Sequence, residues 1–229
     1  MAPVGVSVKM VWMSETSSAR PYRGVEAAER LATRRNRLLA AGLDLLGAER
    51  QNISAVTVRG VCRSAGLAAR YFYESFADKD EFVACVFDWI VAELAATTQA
   101  AVAAVPAEEQ TRACMANIVR TITEDPRVGR LVFSTQLADP VIVRKRVESS
   151  ALFAMLSGQH VGHALRVPAN ERIKAAAHFV VGGVGQTISA WLAGDVQLEP
   201  DQLVDQLAAL LDELAEPNLY RLTETRADA

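Results

Sequence analysis

Between Thr57 and Phe76 the chain has room for two short helices separated by Gly66. Neither can stand alone, because helices shorter than about 12–15 residues are marginal in water without tertiary support. Thr57 can cap the first through its hydroxyl, and Val58, Val61 and Cys62 fall at i, i+3 and i+4 to make its buried side. Gly66 stops that helix by taking the left-handed backbone conformation, Leu67 re-enters the core, and a second helix over about 68–75 follows at once. Two short helices across a tight glycine turn, the second bearing Arg70, Tyr71 and Tyr73, have the form of a helix-turn-helix. Such a pair needs a platform. A predicted helix over about 25–47 offers Leu31, Leu38 and Leu45 with Leu39, Gly42 and Leu46, while Arg30, Arg34, Arg35 and Arg37 crowd its other surface. Phe72 and Phe76 anchor the second short helix from below.

Asp78 can cap the next helix, with Asp80 and Glu81 in its first turn complementing the helix dipole. From Phe82 to Ala96 the sequence is apolar almost all round, interrupted by Asp88 and Glu93, so this helix has to be covered on most sides. Pro106, Pro126, Pro140, Pro168 and Pro200 each stand near a helix start, where a missing N–H costs little. They predict helices of about 106–123, 126–138, 140–165, 169–193 and 199–215. No run of β-branched residues alternates with polar ones, so the fold class expected is all-α. The division expected is a flexible arm over 1–24, a three-helix helix-turn-helix domain over 25–80, a second helical domain over 81–215, to which the resemblance given below assigns ligand binding and dimerisation, and a tail over 216–229.

Charge is divided along the same line. Residues 1–80 hold 12 Lys/Arg against 8 Asp/Glu, and residues 81–229 hold 12 against 19, which marks the first third as the candidate nucleic-acid surface. The cysteines, Cys62, Cys85 and Cys114, are odd in number and set in apolar helical contexts, so buried thiols in a reducing cytoplasm are expected rather than disulfides or a zinc site. The uncharged run 175–194 contains His178, Gln186, Thr187, Ser189 and several glycines, and reads as a helix buried in protein or at a subunit interface rather than a membrane span. No motif for a cofactor or a nucleophile is present.

The segment TVRGVCRSAGLAARYFYESFADKDE, Thr57 to Glu81, resembles the TetR family of bacterial repressors. The family's capping Thr, alanine-glycine turn, aromatic-Tyr pair, Phe, and Lys before the fourth helix fall on Thr57, Ala65-Gly66, Phe72-Tyr73, Phe76 and Lys79. The motif covers roughly residues 34–83. Two positions depart from it: Ala68 stands where Ser or Thr is usual, and Arg70 where a small residue is common. The arm sequence RPYRG at 20–24 also matches a subgroup of the family. The resemblance implies a nine-helix dimer joined by a four-helix bundle, which releases DNA when a small molecule binds the second domain.

On that reading the partners are double-stranded operator DNA, a small and largely apolar effector, and a second copy of the chain. Thr57, Arg59, Ala69, Arg70, Tyr71, Tyr73 and Lys79 are the candidate DNA contacts, with Arg20 and Arg23 of the arm. A guanidinium can pair bidentately with guanine or phosphate, whereas Tyr73 and Lys79 suit phosphates. Tyr71 can either touch a thymine methyl or pack against the first helix. Cys85, Trp89, Phe133, Gln136, Met155, His178 and Phe179 are the candidate ligand residues, with Gln136 and His178 as its polar contacts. The glycine-lined helix 169–193 and the leucine stripe of 199–215 (Leu203, Leu207, Leu210, Leu211, Leu214) are the candidate dimer faces. Two further readings stay open: a regulator of the same fold controlled by a partner protein or by no ligand, and a helical enzyme using His160, His163 and His178.

Overall fold

A computed structural model describes residues 22–49, 56–165 and 170–214; for 22–26 and 159–165 it describes the backbone alone. Among these residues every regular element is helical: α1 (Tyr22–Leu46), α2 (Val58–Ala65), α3 (Ala69–Tyr73), α4 (Lys79–Ala103), α5 (Gln110–Glu124), α6 (Pro126–Val132), α7 (Pro140–Leu165), α8 (Glu171–Ala193) and α9 (Pro200–Glu213). A single 3-10 turn, Ala107–Glu109, precedes α5. The all-α expectation holds.

The caps read from the sequence form as expected. The Thr57 hydroxyl accepts from the Gly60 N–H at 3.0 Å, and Asp78 Oδ1 accepts from the Glu81 N–H at 2.8 Å. Glu81 Oε2 in turn accepts from the Ala77 N–H at 2.6 Å, which ties the residue before the cap to the first turn of α4. Gly66 sits at φ +62°, where a side chain would be strained, and the chain reverses there between α2 and α3.

Several boundaries differ, as at α5, which begins at Gln110 rather than near residue 106. Helix α1 is described from Tyr22 rather than from near residue 25, so Arg23 belongs to a helical turn instead of the arm. Arg20 lies outside the described residues. Helix α3 has 5 residues and ends before Glu74, although Phe76 still donates its N–H to the Phe72 carbonyl at 2.9 Å. Helix α6 stops at Val132 instead of 138; after the intervening turn, buried Asp139 caps α7, accepting from the Val141 N–H at 2.9 Å, and Pro140 disfavours helical backbone at residue 139.

Two cores hold the helices. The first joins α1, α2 and α3 to α4, α6 and the start of α7 around Leu38, Leu46, Val61, Phe72, Phe76, Phe82, Phe87, Leu131 and Ile142. Phe72, Phe76 and Phe82 pack with ring centroids 5.0–5.4 Å apart. Gly42 lets α1 approach α4 closely, since a Cβ there would meet Phe82 Cζ at 2.7 Å. The second core joins α5, α8 and α9 through Met115, Val119, Ile122, Ile188, Leu203, Val204 and Leu207. The leucine stripe of α9 is therefore largely consumed inside the chain; of its five residues Leu210 alone is exposed, at 51%. Leu31, placed by its spacing on the buried side of α1, is 40% exposed.

Candidate nucleic-acid interface and the helices behind it

The α2–α3 unit is closed by its own backbone and by α1. The Gly66 and Leu67 N–H groups return to the Arg63 and Cys62 carbonyls at 3.2 and 2.9 Å, so the carbonyls at the end of α2 are satisfied within the turn. Helix α3 has no side-chain cap, since Ala68 offers no oxygen where Ser or Thr would. Its position is set instead by Phe72, which is fully buried, and by arginines that reach across from α1.

Those arginines were assigned by spacing to a surface, and their work was missed. Arg37 Nη2 donates to the Ala65 carbonyl at 2.8 Å, closing the end of α2. Arg35 Nη1 donates to the Ser75 carbonyl at 3.0 Å, its Nη2 donates to Cys85 Sγ at 3.4 Å, and its guanidinium lies 4.5 Å from the Phe76 ring centroid. Arg34 lies 4.3 Å from the centroid of Tyr71 and pairs with Glu74 Oε2 at 3.4 Å. The partners stand tens of residues away in the chain, so no helical periodicity could have indicated them.

Around this frame Thr57, Arg59, Ala69, Arg70 and Tyr73 are exposed, and Tyr71 and Lys79 are half-buried. Arg70 Nη2 donates to Tyr71 Oη at 2.6 Å, and this bond holds the phenol pKa below its ordinary value. Of the two roles left open for Tyr71, packing toward α1 is the one seen in the free chain.

The candidate ligand residues do not converge. Cys85 is half-buried beside Arg35, Trp89 packs on the first core and Phe133 on the second, while Gln136, Met155, His178 and Phe179 are exposed. None of the seven lines the cleft of about 280 Å³ between α4 and α5, whose apolar floor is Ile90, Leu94 and Val128 and whose charged groups are Glu93, Arg120 and Glu124. Beside it a polar knot was also missed: buried Asn117 donates Nδ2 to the Thr97 and Thr98 hydroxyls at 3.1 and 2.9 Å and accepts from Arg120 Nη2 at 2.7 Å. On α5 it stands nearly opposite Met115, Val119 and Ile122, on the side shared with Arg120 and Thr121, so apolar spacing carried no sign that it is buried.

A second outward surface is apolar. On α7, Val147, Leu152, Met155 and Leu156 are 48–67% exposed, and on α8 Phe179 is 68% exposed. A Cβ added at Gly182, Gly183 or Gly185 would meet nothing within 4 Å. Among the described residues no helix is long and apolar enough to cross a membrane, and no group of three His, Cys, Asp or Glu could hold a metal ion. The side chains of His160 and His163 lie outside the described residues.

No family model matches the sequence, and no curated protein matches it either. Solved structures do match. The fatty acid degradation regulator FadR of Bacillus halodurans aligns with a TM-score of 0.64 at 14% identity, over 78% of this chain and 94% of that one. FadR of Bacillus subtilis, solved in complex with stearoyl-CoA, aligns at 0.60 with 13% identity over 77% and 96%. A TetR-like transcriptional regulator from Rhodococcus aligns at 0.56 with 19% identity over 80% and 94%. The fold of this chain is that of the TetR- and FadR-type transcription regulators.

Proposed function

We propose that the chain is a TetR-family transcription regulator, a repressor that binds a near-palindromic operator as a dimer and is released by a small molecule. The observation that carries this reading is the α2–α3 unit: a glycine-turned helix pair, braced from behind by three phenylalanines and three arginines, that leaves Arg59, Arg70 and Tyr73 exposed to solvent. A rigid scaffold presenting guanidinium groups on a short helix suits base edges in the major groove. The basic balance of residues 1–80 supplies the attraction to phosphate.

The second copy is placed on α7 and α8. Their exposed apolar side chains and open glycines form the kind of surface that soluble chains bury against a partner, whereas α9 packs Leu203 and Leu207 on the core with α5 and leaves only Leu210 of its stripe exposed. The effector is placed in the α4–α5 cleft, whose volume lies near the lower end of ligand sites, roughly 300–1,000 Å³. Its floor suits an apolar body, and Glu93, Arg120 and Glu124 add a polar contact to that expectation. Because α4 begins at Lys79 beside the recognition helix and forms one wall of the cleft, a ligand that moves α4 changes the spacing of the two recognition helices. A tenfold loss of operator affinity requires about 1.4 kcal/mol of differential binding.

Selection of bound sequences from randomised duplex DNA tests the reading. The wild-type chain is expected to enrich a two-fold symmetric site whose half-sites lie one turn of DNA, roughly 34–36 Å, or a multiple apart. Arg59→Ala and Arg70→Ala should each weaken that site about ten- to hundredfold, and Lys79→Ala should weaken all sequences alike. Unchanged affinity in all three variants contradicts the docking.

A further inference from the structure

The recognition helix carries one long, rotamer-rich side chain, Arg70, and a free arginine at such a position loses much conformational freedom on docking. In this chain Arg70 is not left free. Its Nη2 is tied to Tyr71 Oη at 2.6 Å, and its guanidinium lies 4.6 Å from the centroid of the same ring. The ring is held in turn from another helix, for Arg34 of α1 lies 4.3 Å from its centroid. Two cations on one ring repel each other unless a counter-charge is present. Glu74 supplies it, pairing with Arg34 at 3.4 Å from one helical turn beyond Arg70, whose carbonyl accepts the Glu74 N–H at 3.1 Å.

Nη2 of an arginine has two hydrogens, and the bond to Tyr71 uses one of them. The other remains parallel to a hydrogen on Nη1 or, if that side is the one used, to the Nε hydrogen. That leaves the two-pronged edge with which an arginine addresses O6 and N7 of guanine.

We infer that Arg34, Tyr71 and Glu74 are positioning residues that aim Arg70 at a guanine in each half-site, so that base preference at one operator position is set partly from α1. The inference rests on the DNA-binding reading proposed above and adds to it a source of specificity outside the recognition helix. Arg34 touches no base in this scheme. It fixes a ring, and the ring fixes the arginine that reads.

Tyr71→Phe, which keeps the ring and removes the hydrogen bond, and Arg34→Ala, which removes the stacked cation, test the inference by selection from randomised duplex DNA and by titration against salt. Wild type is expected to enrich guanine at one position per half-site, and Arg70→Ala to abolish that enrichment. Tyr71→Phe and Arg34→Ala should each lower the preference for guanine there by several-fold, while the other positions and the slope of affinity against salt change little. Arg34→Lys keeps a charge for Glu74 but not the planar stack, and should restore the preference only in part. Circular dichroism of each variant, with the near-isosteric Tyr71→Phe as the mildest, separates misfolding from loss of aim. A wild-type chain that selects no motif overturns the DNA-binding reading and this inference together. A selected motif that keeps its guanine in Tyr71→Phe and Arg34→Ala, or variants that lose affinity equally on every sequence, overturn the positioning role and leave DNA binding standing.

Discussion

Phe72, Phe76 and Phe82 of the helix-turn-helix unit are at most 2% exposed, whereas Val147, Leu152, Met155, Leu156 and Phe179 on α7 and α8 are 48–68% exposed. In the first region the apolar groups are sealed, the helix ends are capped by Thr57, Gly66 and Asp78, and long arginines fasten the pieces. The second has regular helices of 26 and 23 residues that pack on each other, yet they keep an apolar strip outside. On the proposed function the first unit reads DNA, which requires side chains held in place before the encounter, and an interior complete within one chain meets that requirement. A surface that meets a second copy is completed only on assembly.

Breaking the sealed side should have the largest effect. Phe82→Ala removes a fully buried ring from the centre of the aromatic cluster, and chemical denaturation is expected to show a loss of about 3–5 kcal/mol. A loss under 1 kcal/mol shows that the cluster does not hold the unit together. On the open side, Gly183→Arg places a charge where nothing lies within 4 Å inside the chain, so it should leave the helical signal of the chain intact. It should nevertheless weaken self-association about a hundredfold, ~2.8 kcal/mol, in equilibrium sedimentation. An unaltered dimer would remove α8 from the interface.

Smaller effects sharpen the same contrast. Thr57→Ala deletes the acceptor for the Gly60 N–H and is expected to cost about 1 kcal/mol in thermal unfolding, with no change in association. The smallest effect concerns the join between α1 and α6, where Arg127 pairs with both Asp125 and Asp44. The hydrogen bond from Arg127 holds the Asp125 carboxyl below its ordinary value, so the stability it contributes is complete above the unfolded value near pH 3.9. It is lost as the pH falls through the lower folded value. The pair is partly exposed and screened, so Asp125→Asn should remove less than about 1 kcal/mol of that acid-limb dependence. A variant whose acid limb superposes on wild type contradicts the linkage.

The same contrast explains what was legible in the sequence. Caps and turns depend on neighbours within a few residues, so Thr57, Gly66 and Asp78 could be read directly, and Phe72 and Phe76 followed from the helix they anchor. Apolar spacing reports that a face is buried and not what buries it. The stripe of α9 therefore looked like an interface while Leu203 and Leu207 pack on α5, and Met155 and Phe179 looked like pocket lining while they point outward. Arg34, Arg35 and Arg37 escaped for a related reason, since a flexible cation beside a leucine face reads as solvated until its distant partner is placed. Asn117 escaped because its partners, Thr97 and Thr98, sit on another helix.

The central claim is that a finished DNA reader is carried on a half-finished interface, and it is tested most directly by counting chains on DNA. Sedimentation of the wild-type chain on its selected duplex should give two chains per duplex, bound together. Gly183→Arg, folded as judged by circular dichroism, should give single chains that bind a half-site weakly, because the reader is complete without the partner and the symmetry is not. A wild-type chain that occupies the whole site alone, or a Gly183→Arg variant that still binds in pairs with wild-type affinity, would contradict the account.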